Sequence, residues 1–133
     1  MPESAIIAEI SMRILIVEDS DSVSKMIEAL VKGRGHEVQT AASGPRALEL
    51  AITTEPDLVL LDLHLSGSYD GFEVCRRLRA DTRTEAVPIV IISALDDSES
   101  KQRALETGAS AYYTKPFSPM ALLKEIEGFQ SRM

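Results

Sequence analysis

Four apolar runs in this chain end in groups able to do chemistry. Glu18 and Asp19 follow Ile14-Leu15-Ile16-Val17, and Asp62 follows Leu58-Val59-Leu60-Leu61. Ser93 follows Ile89-Val90-Ile91-Ile92, and Lys115 stands just beyond Ala111-Tyr112-Tyr113. Three carboxylates brought to one place repel, so either their pKa values rise or a cation joins them. With only oxygen ligands at hand, the cation that suits them is a hard ion such as Mg²⁺. Lys115 adds a fixed positive charge for a carboxylate or an incoming oxyanion. Such a set suits phosphoryl transfer. A carboxylate attacks phosphorus, the cation and lysine neutralise charge on the equatorial oxygens, and a hydroxyl donates to one of them. Asp62, ending the most apolar run, is the candidate nucleophile, and Ser93 is the candidate hydroxyl.

These groups share one rim only if the runs are neighbouring strands. The first three are β-branched or leucine-rich and too short for helices, as strands buried on both faces are. Ala111–Tyr113 is weaker, and Glu37-Val38-Gln39-Thr40 alternates like an edge strand, leading into Ala41-Ala42 with nothing reactive. Helical patterns lie between. Val23, Met26, Ile27, Leu30 and Val31 form one apolar stripe that Gly33 can close. Ser43-Gly44-Pro45 opens a second helix carrying Ala47, Leu48 and Ala51. Asp70 can cap a third with Val74, Cys75 and Leu78 on one face, and Ser118-Pro119 opens a last one with Met120, Leu123 and Ile126. The segment Ser98–Thr107 is mostly polar, with Ala104 and Leu105 its clearest apolar residues, and is predicted to sit loosely before Gly108 stops it. Cys75 is expected in the core and His36 facing solvent.

Alternation of strand and helix predicts an α/β fold: a doubly wound, five-stranded parallel sheet with right-handed crossovers. Placing the two polar strands at the edges gives the order 2-1-3-4-5. In such sheets ligands bind outside the carboxyl ends of the strands, which is the rim these polar groups occupy.

Length and composition narrow the field further. The 133 residues suit one domain, with residues 12–133 as its body and 1–11 as an N-terminal extension. Fourteen basic against 21 acidic residues leave a net charge of −7, which argues against direct nucleic-acid binding. The lone Cys75 and two histidines provide neither an internal disulfide nor a Cys/His zinc pattern. No apolar run reaches membrane-span length, and Met1–Ser11 lacks a basic start and carries Glu3 and Glu9, unlike a signal peptide. The expected location is cytoplasmic.

At its chemical residues the chain resembles the receiver domains of two-component response regulators. The matching pieces are Val17-Glu18-Asp19-Ser20, Leu60-Leu61-Asp62-Leu63, Asp70-Gly71-Phe72-Glu73, Ile92-Ser93-Ala94 and Lys115-Pro116-Phe117. In this order and spacing they cover Met12 to Phe129, and the fold implied is the flavodoxin-like receiver fold. The resemblance implies that Asp62 accepts a phosphoryl group from a histidine kinase or histidine phosphotransfer protein. It implies Mg²⁺ on Asp19 and Asp62, with Glu18 acting largely through water and His64 supplying its backbone carbonyl. Ser93 would swing toward the phosphoryl group, Tyr112 would change rotamer with it, and Lys115-Pro116 would be a cis bond. The responding surface would be the fourth helix, fifth strand and fifth helix. That face would meet a downstream target or a fused output domain, or form a homodimer. Such a domain catalyses only its own phosphorylation and dephosphorylation and is otherwise not an enzyme. Two departures stand out: Glu18 where Asp is commoner, and a loop His64–Asp70 that lacks the usual proline and is one residue longer.

Blander readings compete with each part. An Asp at a strand end is often a helix cap, and Glu18-Asp19-Ser20-Asp21 could merely favour the positive end of the first helix, a role better given to Ser20 or Asp21. Ser93, Lys115 and Tyr112 could be a loop hydroxyl, a surface lysine and an edge-strand aromatic. Rival functions also share the architecture. A flavodoxin-like cofactor binder needs a phosphate cradle after the first strand, where this chain is acidic. An aspartyl phosphohydrolase needs a cap and a second acid two residues on, where His64 stands. A pseudo-receiver that only docks on proteins has no physical need for Asp19, Asp62, Ser93 and Lys115 together.

Overall fold

The computed structural model describes residues 11–133, so most of the N-terminal extension expected at 1–11 lies outside the described residues. The apolar runs form strands β1 (Arg13–Val17), β3 (Leu58–Leu61) and β4 (Ile89–Ser93), every residue of β3 and β4 being buried. The more polar segments form β2 (Glu37–Ala41) and β5 (Ala111–Thr114). Helices α1 (Asp21–Lys32), α2 (Gly44–Thr54), α3 (Gly71–Ala80), α4 (Ser98–Thr107) and α5 (Pro119–Gln130) connect or follow them. All pairings are parallel, in the order β2-β1-β3-β4-β5. This is the predicted doubly wound sheet, with the polar strands at its edges, where an exposed face costs least.

Two apolar layers enclose the sheet. Ile14, Ile16, Leu58, Leu60, Val90 and Ile92 pack with Ile27, Val31, Leu122 and Ile126 of α1 and α5. The alternate strand residues, among them Leu15, Val17, Val59, Leu61, Ile89 and Ile91, pack with α2, α3 and Ala104 of α4. Period-two alternation in the central strands thus supplies both layers, each large aliphatic side chain contributing about 2 kcal/mol on burial.

Helix starts follow local chemistry. Ser20, Ser43, Asp70, Asp97 and Ser118 each accept a backbone N–H of the following turn. Because Ser20 caps α1, Glu18 and Asp19 are not consumed as helix caps. α4 is as loosely anchored as its sequence predicts. Ala104 is its only buried residue, and Leu105 is 51% exposed.

Gly33 closes α1 as predicted, its N–H donating to the Ala29 carbonyl at 3.0 Å, in a right-handed conformation. The chain reverses at Gly35, whose φ of +87° favours a residue without Cβ. His36 is buried rather than solvent-facing, because its Nδ1 accepts the Met12 N–H at 3.1 Å and ties the start of β1 to the α1–β2 turn. Burial lowers the His36 pKa, partly opposed by the Glu127 charge, so the ring that accepts this bond is held neutral.

Candidate functional site

Strand register builds the site. Val17 pairs with Leu61, and the Asp62 N–H donates to the Val17 carbonyl at 2.9 Å, so Glu18 and Asp62 emerge side by side from adjacent strands. Ser93 pairs with Thr114, and the Lys115 N–H donates to the Ser93 carbonyl at 2.7 Å, which sets Lys115 beyond the rim of β5. Glu18, Asp19, Asp62, Ser93 and Lys115, drawn from four strand ends, line one open hollow of about 520 Å³. Gly71 permits this geometry. A Cβ there would lie 2.5 Å from Leu63 Cα and press on the Asp62 carbonyl, while the Gly71 N–H donates to the Leu63 carbonyl at 2.8 Å.

The charges are tightly coupled. Lys115 Nζ donates to Glu18 Oε1 at 2.6 Å and to Asp62 Oδ2 at 3.3 Å, while the His64 N–H donates to Asp62 Oδ1 at 3.2 Å. Each Asp62 oxygen therefore has a donor, which fixes the plane of the carboxylate. Burial, then the contact with Asp62, push the Glu18 pKa up to about 7, against the opposing pull of Lys115. Burial alone would lower the Lys115 pKa, but its bond to Glu18 and the neighbouring carboxylate charges prevail and hold it above the ordinary lysine value. Glu18 is thus the closer of the two carboxylates bound to Lys115.

A divalent cation fits this donor set. Carboxylate oxygens of Glu18, Asp19 and Asp62 all lie within 4.8 Å of one another. Glu18 Oε2 is buried and has no hydrogen-bond partner among the described residues, an expensive state for an oxygen in a buried carboxylate. Three carboxylates against one ammonium leave charge to neutralise, and an all-oxygen set suits Mg²⁺.

The other expected residues fall at or beside this rim. Ser93 is fully buried, and its Oγ accepts the Leu95 N–H at 3.2 Å. Tyr112 packs against the α2–α3–α4 core layer and donates its hydroxyl to the Leu95 carbonyl at 2.6 Å. Ser93 and Tyr112 therefore hold the two backbone groups of Leu95 in the β4–α4 loop. Lys115-Pro116 is cis, as the resemblance implied. Sequence reasoning missed Gly71 as a steric necessity and Phe72 as part of the wall of the hollow. The first signal was present in Asp70-Gly71, a cap followed by the residue that approaches the Asp62–Leu63 backbone.

The family model for the response regulator receiver domain matches residues 14–127. The chain belongs to the receiver-domain family. The receiver is 40% identical over 116 residues to the response regulator PleD of Caulobacter vibrioides, an alignment covering 87% of this chain and 25% of that protein. Across the first curated relatives it matches, it spans between a quarter and about half of their length. Among solved structures, a response regulator from Chloroflexus aurantiacus superposes with a TM-score of 0.86 at 36% identity, over 91% of this chain and 98% of that one. The receiver domain of sensor histidine kinase PA1611 from Pseudomonas aeruginosa, solved with magnesium coordinated in its active-site cleft, gives 0.83 at 28% identity, over 91% and 98%. Receivers of this family typically bind a divalent metal, and the acidic cluster for it is present here. Among the described residues no helix is long and apolar enough to cross a membrane.

Proposed function

We propose that this receiver accepts a phosphoryl group from a phosphohistidine, carried by a histidine kinase or phosphotransfer protein, onto Asp62. Supporting this most strongly is the convergence of Asp62, Glu18 and Asp19 with the bridging Lys115 at one rim, where two donors already fix the Asp62 carboxylate. One Asp62 oxygen attacks phosphorus as the phosphorus–nitrogen bond of the donor breaks, and the imidazole leaves with the electron pair. Asp19, Asp62, Glu18 and the His64 carbonyl would hold Mg²⁺, which offsets negative charge on the phosphoryl oxygens. Lys115 turns from the carboxylates toward one phosphoryl oxygen, and Ser93 donates its hydroxyl to another. To reach it Ser93 swings away from Leu95, which breaks the bond its Oγ accepts from the Leu95 N–H and frees the loop on which Tyr112 is latched, shifting the α4–β5–α5 face toward a second arrangement. This face then controls a downstream partner or a fused output domain, or a second copy of the chain. The receiver promotes its own phosphorylation and dephosphorylation and turns over no separate substrate. Incubation with phosphoramidate and Mg²⁺, read by intact mass, should add one phosphoryl group in a metal-dependent way. A folded, Mg²⁺-binding protein that takes none would instead be a docking module.

A further inference from the structure

Beside the phosphorylation hollow lies a second groove of about 600 Å³, walled by the β3–α3 loop, α3 and α4. Its chemistry differs from that of the chain as a whole, whose net charge is −7. Three arginines line it, Arg76, Arg77 and Arg103, against two acids, Asp70 and Glu73. Asp70 is occupied as the cap of α3, and Glu73 is held between Arg76 and Arg77. Arg77 lies over the Tyr69 ring at 4.1 Å and Arg103 over the Phe72 ring at 3.9 Å. A guanidinium held over a ring face keeps N–H donors to offer a carboxylate, and Arg77 spends its Nε on Glu73 while Arg103 spends none on an ion pair among the described residues. Glu99 and Glu106 stand one turn away from Arg103 along α4, yet Arg103 makes no ion pair with either, and Glu106 accepts from Gln102 instead. Arg103 thus lines the groove with no carboxylate of its own helix paired to it.

We propose that this groove docks a short acidic segment of a partner protein, with Arg103 as its principal anchor and Arg77 as its second. A carboxylate-bearing peptide suits it better than a nucleic acid, because the chain's net charge of −7 repels a long polyanion while a short acidic segment can meet the groove's three arginines. Phe72, which carries Arg103, also lines the hollow around Asp62, so an occupant would press on the wall of the phosphorylation site.

Binding is tested on the unphosphorylated chain, so the result is independent of whether Asp62 accepts a phosphoryl group. A short fluorescein-labelled poly-glutamate peptide is titrated by polarisation, with poly-glutamine as control, and the site is mapped by amide shifts. Saturable binding of the acidic peptide alone is expected, with shifts gathered in residues 65–77 and 103–107. Arg103→Glu, a change on an exposed helix face, should weaken it about tenfold or more, and Arg103→Lys several-fold because the planar fork is lost. Absence of binding, shifts elsewhere, indifference to both Arg103 variants, or tighter capture of a single-stranded oligonucleotide at the same residues would each overturn the proposal.

Discussion

Glu18 offers a quantitative test of the site's electrostatics. In the metal-free protein its carboxyl is buried against Asp62, with its pKa raised to about 7 from the model-peptide 4.5. An acid with a raised folded pKa binds more protons folded than unfolded between those values. Its stabilisation is therefore complete below the unfolded pKa and lost as pH rises through about 7. Between about pH 5 and pH 8 the loss amounts to roughly 2–3 kcal/mol. His36 works in the opposite sense. Its lowered pKa makes stability fall as pH drops below the ordinary histidine value, so the wild-type profile alone mixes two slopes. The Glu18→Gln difference separates them, because glutamine keeps a carbonyl for Lys115 and leaves His36 untouched. Urea unfolding in EDTA should show Glu18→Gln gaining on wild type by roughly 2–3 kcal/mol from about pH 5 to pH 8, and saturating Mg²⁺ should shrink that gain by favouring the ionised glutamate. A wild-type minus Glu18→Gln difference that stays flat with pH, or runs the other way, would refute the assignment of a raised Glu18 pKa.

Other perturbations read other parts of the site. Gly71→Ala should cost about 1–3 kcal/mol in urea unfolding, because its methyl meets the Asp62–Leu63 backbone rather than a flexible side chain; an unchanged midpoint would count against that close approach. Asp19→Ala should weaken Mg²⁺ at least about tenfold in calorimetric titration, and an unaltered affinity would remove Asp19 from the metal set. Lys115→Ala should leave the ion bound yet blunt the response of α4 to phosphorylation; normal amide shifts across residues 95–107 would show that Lys115 does not carry the signal.

Much of the architecture is visible locally because the buried strands are written in their own composition. Ile14–Val17, Leu58–Leu61 and Ile89–Ile92 carry no polar side chain, so only a sheet covered on both faces accommodates them, and the polar Glu37–Ala41 and Ala111–Thr114 fall to the edges. The site residues were legible for the same reason, since they are the first polar groups after those runs. What stayed hidden depends on partners distant in sequence. His36 accepts a bond from Met12, 24 residues away, and no property of the segment around it reveals that acceptor's burial. Arg79 reads as one more basic residue of α3, yet it donates to the carbonyls of Gly108, Glu85 and Val87 and so pins the loops that lead into β4 and β5. Met26 lies on the apolar stripe of α1 but is 45% exposed, because the stripe is wider than the sheet surface it covers.

The central claim, that Asp62 is the phosphoryl acceptor, is tested most directly by locating the modification. After reaction with phosphoramidate and Mg²⁺, borohydride reduction converts an acyl phosphate at aspartate to homoserine, which survives digestion. Trypsin separates the candidates, because Asp62 lies in the peptide 47–76 and Asp19 in 14–25. Homoserine at position 62, absent without Mg²⁺ and absent from Asp62→Asn, is the predicted result. Reduction at position 19, or labelling that persists undiminished in Asp62→Asn, would contradict it.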